Sequence, residues 1–260
     1  MTRIYRLFLV LLVALGAPNP ASAQSLAIVD AETVAIAFYK FAGLRPNFDS
    51  WAKDSEAYRN TPPPLRPAIQ REEAERLQTA YEAFSKAGNL LNVSTMAQVT
   101  LTEGADPLNK NRKVYGLSWV YAKGDADFFP YVYRRDNFAL VPLQLARFRQ
   151  AEITGDQYRF IKERMGTSPY ATLILQLRGE YADAEAPVRM RGQDFWALTT
   201  RIAGVSLWAR DGTMLWENSA SWYVSPRTES LNELHRDNQD VPDTPPAIDI
   251  PPIEIGDGIE

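Results

Sequence analysis

Apolar and polar positions alternate along this chain with a period that changes near residue 88. Before that point apolar residues recur every three or four positions, and after it they recur mostly every second. Asp30 is placed to cap a helix through Ala42, with Val34, Phe38 and Phe41 on one face and Gly43 as its terminator. Phe48, Trp51 and Tyr58 predict a short second helix, closed by the stiff proline-rich stretch 62–67. A longer helix is predicted from Ala68 to Ala87. Its apolar stripe is Ile69, Leu77, Tyr81 and Phe84, its acids fall early, and Gly88 ends it.

Beyond Gly88 the period of two takes over. Leu91, Val93, Ala97, Val99 and Leu101 alternate with polar residues and predict a half-buried strand. Val114–Ala122 predicts its neighbour. Phe128–Tyr133 and Phe138–Leu143 read as two more strands, which Pro130 and Pro142 should confine to edges. A short helix over Thr154–Met165 follows from Tyr158, Ile161 and Met165. Leu173, Leu175 and Leu177 mark a further strand, and Phe195–Arg210 a long one with a bulge at Gly204. Asp211-Gly212 predicts a two-residue type I′ turn into a strand over Thr213–Val224, pairing Trp208 with Leu215 and Leu207 with Trp216. Ser225-Pro226 then opens a short helix carrying Leu231 and Leu234. The sum is an α+β fold. Amino-terminal helices (24–88) pack on a mostly antiparallel sheet (89–236) within one domain, and a short helix follows the last strand.

The two ends differ from this body. Arg3 and Arg6 precede an uncharged apolar run from Leu7 to Leu15, and Ala21-Ser22-Ala23 forms a small-x-small site. Residues 1–23 are therefore expected to be a secretory signal peptide cleaved after Ala23, with a periplasmic or secreted destination. No later run is long and apolar enough to predict a transmembrane segment. The chain has no cysteine, which excludes disulfides, thiolate metal sites and a cysteine nucleophile. Residues 24–236 hold 26 basic against 25 acidic residues, a balance of +1, which argues against phosphate-driven binding of nucleic acid. Residues 237–260 hold seven acids, five prolines and no basic or aromatic residue, and are expected to be a disordered acidic tail.

Catalytic residue types are sparse. His235 is the only histidine and sits at a predicted helix end, which leaves no Ser-His-acid triad or two-histidine zinc site independent of it. No phosphate-binding glycine motif and no G-x-S-x-G elbow occurs. Carboxylate pairs remain, at Asp125/Asp127 and Asp183/Glu185, though acids at those places read more simply as turn residues. No catalytic residue, metal ligand or cofactor is assigned. Aromatics are the enriched class with recognition chemistry. Phe129, Tyr131 and Tyr133 share one strand face, and Trp222 stands near a strand end after Ser219, Ala220 and Ser221, the aromatic best placed to reach solvent. In the tail, Ile248, Ile250, Ile253 and Ile255 alternate with acids and prolines as a strand-adding or polyproline ligand does.

The segment Arg201–Glu217 (RIAGVSLWARDGTMLWE) resembles a strand–turn–strand unit common in bacterial envelope proteins. The whole chain is similar to exported envelope proteins of proteobacteria that carry no assigned activity, so the resemblance transfers no functional residue. Such proteins are often lipid-anchored through a cysteine, a route this chain lacks. The expectation is a non-catalytic protein that binds or scaffolds another envelope component, a protein or a glycan, through its sheet face or its tail. The alternative is an exported carboxylate-dependent hydrolase acting on a glycan, and an inhibitor or adaptor of another exported enzyme is a third reading.

Overall fold

The computed structural model describes residues 27–122 and 128–223. Residues 1–23, Asp125, Asp127, the predicted helix after Ser225, His235 and the acidic tail with Ile248, Ile250, Ile253 and Ile255 lie outside the described residues.

The first helix, α1 (Ala31–Ala42), begins and ends where local chemistry requires. Asp30 is extended, and its carboxylate accepts from the Thr33 N–H at 2.7 Å, while Gly43 takes the left-handed conformation (φ 72°) that closes the helix. Five consecutive residues, Val34 to Phe38, are buried, so α1 is enclosed on more than one side. The expected second helix is split into α2 (Phe48–Lys53) and α3 (Glu56–Asn60), because Ser55 turns its hydroxyl to the Tyr58 N–H and starts a new helix. A 3₁₀ turn at Pro63–Leu65 leads into α4 (Arg66–Ala83), which ends short of the predicted Ala87 and buries Leu77. α4 packs on α1, α2 and α3.

The sheet contains nine strands among the described residues. They are β1 (Leu91–Ala105), β2 (Lys113–Tyr121), β3 (Phe129–Tyr133), β4 (Asp136–Leu143), β5 (Gln150–Ile153), β6 (Tyr170–Ala182), β7 (Val188–Met190), β8 (Gln193–Trp208) and β9 (Met214–Ser219). Their order is β3-β4-β8-β6-β1-β2-β5, with β7 and β9 also paired to β8. All pairs are antiparallel except β4 with β8. Between β5 and β6 lies α5 (Gly155–Met165), opened by a capping box in which Thr154 and Gln157 bond reciprocally.

Alternation assigns each strand a buried and an outer face. Leu91, Val93 and Ala97 of β1 stand opposite Leu177, Leu175 and Ala171 of β6, and these join one core with α1, Leu77 of α4 and Ile161 of α5. Gly179 of β6 lets α1 approach closely, since a Cβ there would fall inside contact distance of the Phe41 ring. α1 and α5 lie on this inner face, and Trp51 of α2 reaches it at Tyr133. No described helix is long and apolar enough to cross a membrane.

Three local expectations are corrected. β3 is an edge strand, but β4 is interior over Phe138–Leu140 and loses its outer neighbour only beyond Leu140, where Pro142 stands. The Asp211-Gly212 turn is not type I′, because only Gly212 of the pair has positive φ (81°). Gly212 N–H donates to Ala209 O, and Ala209 N–H to Thr213 O, the pattern of a three-residue loop with a glycine bulge. Trp208 therefore pairs with Met214 rather than Leu215, while Leu207 does pair with Trp216. β9 also stops at Ser219, short of Val224, since Ala220–Tyr223 form a turn. The turn with two positive φ values occurs instead at Arg191 (50°) and Gly192 (83°), joining β7 to β8.

Candidate functional site: the open face of the sheet

Phe129, Tyr131 and Tyr133 do share one face of β3, and that face is turned inward against the helices. Phe129 is buried, and the Tyr133 ring lies 5.0 Å from Trp51 in an edge-on contact. The Tyr133 hydroxyl donates to Glu32 Oε2 at 2.9 Å, joining a charged cluster between α1, α4 and the β3–β4 turn. Arg76 holds both Glu32 oxygens at 2.7 and 2.8 Å and also bonds Glu73. Arg134, in the two-residue turn, donates to Asp54 O at 2.9 Å and to Glu73 Oε1 at 3.2 Å, with Arg135 on Asp54 at 2.8 Å. Hydrogen bonds from Arg76 hold the Glu73 carboxyl below the usual carboxylate range, and the charges of Arg76 and Arg134 add to them. Burial first, then Glu32, pushes the Tyr133 hydroxyl well above its ordinary value. These bonds tie α1 and α4 to the β3–β4 hairpin, so the cluster acts as a clasp between helices and hairpin.

The outer face of the sheet is different. Near β7 it carries a small covered patch in which Phe128, Ala139 and Phe195 pack with Val141 and Met190. Over β1, β2, β6 and the second half of β8 no described helix covers it. Met96, Val120 and Tyr170 project there, each more than a third exposed. Between β1, β2 and β5, where Gly104 and Gly116 carry no side chain, the face dips into an open trough of about 600 Å³.

Trp222 lies on this face. It is 37% exposed, and its ring centroid stands 5.7 Å from the guanidinium carbons of both Arg178 and Arg201. Those arginines are direct partners across β6 and β8, so they rise from the same face. Glu180 makes an ion pair with Arg201. Tyr181, 60% exposed, is opposite Thr199, two residues along β8 from Arg201. The row beyond is Gln176–Gly204–Ser219 across three strands. This arrangement can stack on a planar or ring-shaped ligand and donate several charge-assisted hydrogen bonds to an anion.

Of the sequence-predicted contact residues, the structure places Trp222 here and sends Phe129, Tyr131 and Tyr133 to the helix side. Sequence reasoning missed Arg178, Arg201 and Tyr181. Each occupies a polar position in an alternating strand, but nothing local signals that two arginines 23 positions apart face each other. Asp183 accepts from the Glu185 N–H at 2.8 Å, which makes that pair a turn. Among the described residues no group of three or more His, Asp or Glu is gathered to hold a metal ion. Comparison with protein families, with curated proteins and with solved structures finds no match to this chain.

Proposed function

We propose that the protein is exported by means of residues 1–23 and acts without catalysis, by binding another component of the cell envelope. The observation that carries this reading is the asymmetry of the sheet. One face is filled by helices, and the other presents Met96 and Val120 on β1 and β2 and, further along the sheet, Trp222 and Tyr181 beside paired arginines. Exposed aromatics with arginine at their rim are the composition that recognition surfaces favour.

The hydrolase reading has less support. A general acid needs a carboxyl held above its ordinary pKa. The described carboxylates with displaced titration, Glu73, Glu103 and Asp211, are all held below it by hydrogen bonds, chiefly from Arg76, Lys113 and Thr213 respectively.

Crosslinking from the native envelope tests the proposal, with the mature chain, the same chain ending at Arg236, and a Trp222→Ala/Tyr181→Ala variant as baits. Partners lost only in the aromatic variant assign binding to the sheet face. Partners lost only with the tail move recognition to Ile248, Ile250, Ile253 and Ile255. Capture of no specific partner by any bait counts against binding and returns attention to hydrolysis.

A further inference from the structure

The reading of the open face as a binding surface can be taken one step further, and the step rests on that reading. We propose that Arg178, Arg201 and Trp222, with Tyr181 beside them, form a site for an acidic glycan, a sugar chain that carries carboxylates.

The arginines supply the first argument. Like charges directly opposite across antiparallel strands weaken the pairing, and Arg178 and Arg201 are directly opposite. Glu180 compensates Arg201. Arg178 has no carboxylate partner among the described residues, so among them the pair carries an unbalanced positive charge on this face. A guanidinium offers a planar fork that fits a carboxylate with two parallel hydrogen bonds. A ligand carboxylate supplies the missing counter-charge.

The second argument is the kind of contact that remains available. β8 is paired on both sides, to β6 and to β4 and β9, while β6 is paired to β1 as far as Leu177 and beyond it to β8 alone. A ligand lying on the face, above the strands, meets side chains rather than backbone groups, so side chains do the recognising. The indole of Trp222, with both guanidinium groups over it, and the phenol of Tyr181 are exposed to solvent. Pyranose rings stack on such surfaces through their C–H edges. Gln176 lies across Gly204, where an added Cβ would stand 2.6 Å from its Oε1, and Ser219 flanks the same glycine. An amide and a hydroxyl in one row across the strands suit the hydroxyl groups of a sugar.

The test uses the full chain and calorimetric titration with oligogalacturonate, against a neutral maltooligosaccharide of equal length. Oligogalacturonate should bind, and Arg178→Gln, Arg201→Gln and Trp222→Ala should each weaken it by at least about tenfold. Arg178→Lys should keep the charge and recover part of the loss, and the neutral sugar should bind at least about tenfold more weakly. Thermal unfolding shows whether each variant is folded. A further full-length variant converts the seven tail acids to their amides. Tighter binding by that variant supports the site and makes the tail its competitor. Equal affinity for the neutral sugar, indifference to both arginine changes, or no binding with the tail acids present or amidated overturns the proposal. Envelope partners that still require Trp222 when oligogalacturonate fails to bind would remove the glycan assignment and leave the binding face intact. Loss of both removes both.

Discussion

Arg134 occupies a position that favours glycine, and its replacement tests the clasp between helices and sheet. The β3–β4 connection has two central residues, between the paired Tyr133 and Asp136, and Arg134 takes φ 57° in the first of them. An L-residue there costs roughly 1–2 kcal/mol. The strain is opposed by the guanidinium, 14% exposed, which donates to Asp54 O and to Glu73. Hydrogen bonds to charged groups are worth about 1.5–3 kcal/mol each in favourable settings. The 3.2 Å bond to Glu73 and the continued hold of Arg76 on that carboxylate argue for the lower end. Arg134→Ala keeps the strain and loses the bonds, so it should cost about 2 kcal/mol. Arg134→Gly loses the same bonds but relieves the backbone. After the entropy cost of glycine, about 0.5–1 kcal/mol, it should be more stable than the alanine variant by roughly that much. Urea unfolding at constant m-value measures both. A stability of Arg134→Ala within about 0.5 kcal/mol of the parent would refute the clasp, as would a glycine variant less stable than the alanine one.

Glu73 makes this clasp sensitive to acid. Its carboxyl is held below the ordinary 4.5 by Arg76 and then Arg134, so its contribution is complete above that value and is lost as pH falls through the lower folded one. Glu73→Gln should therefore flatten the loss of stability between about pH 5 and pH 3, and an unchanged acid limb would contradict the assignment. Tyr131 is pushed up to about 12 and Tyr133 higher still, by burial first and then by Asp30 and Glu32 respectively, from an ordinary 10.0. Their neutral forms support the fold below pH 10.0, and stability should fall as pH rises through the folded values. Phenolate absorbance should show a late class of tyrosines that ionise together with unfolding, and a single class without unfolding would argue against it. Gly179→Ala should cost about 1–3 kcal/mol by driving a methyl into the Phe41 ring. In a double-mutant cycle with Phe41→Ala the two losses should fail to add by more than about 0.5 kcal/mol, and additivity would show that α1 and β6 are not in that contact.

What could be read from the sequence was local in origin. The ends of α1 follow from an Asp whose carboxylate reaches the third residue on and from a glycine that alone enters the left-handed region at no cost. The α5 span and the burial of Leu173, Leu175 and Leu177 likewise follow from periods of 3.6 and 2 that any short window contains. The β3–β4 turn escaped notice because Arg134-Arg135 lacks the usual turn residues, and a positive φ was accepted there for contacts made by side chains far away in sequence. Asp211-Gly212 carried the usual signal, yet the closing bonds favoured a three-residue loop with a bulge and moved Trp208 to Met214.

For the candidate site, the sequence by itself determined only which residues alternate and that Trp222 stands outside a continuous apolar pattern. The tertiary structure decided the rest. It turned Phe129, Tyr131 and Tyr133 toward the helices, because α1 covers the inner face at β3, β4 and β8. It also brought Arg178 opposite Arg201 through a register displaced by bulges on either side. Strand alternation fixes that a side chain is on one face or the other. Which face is covered, and which residue stands opposite, depends on pairings between segments distant in sequence, and no local propensity encodes those.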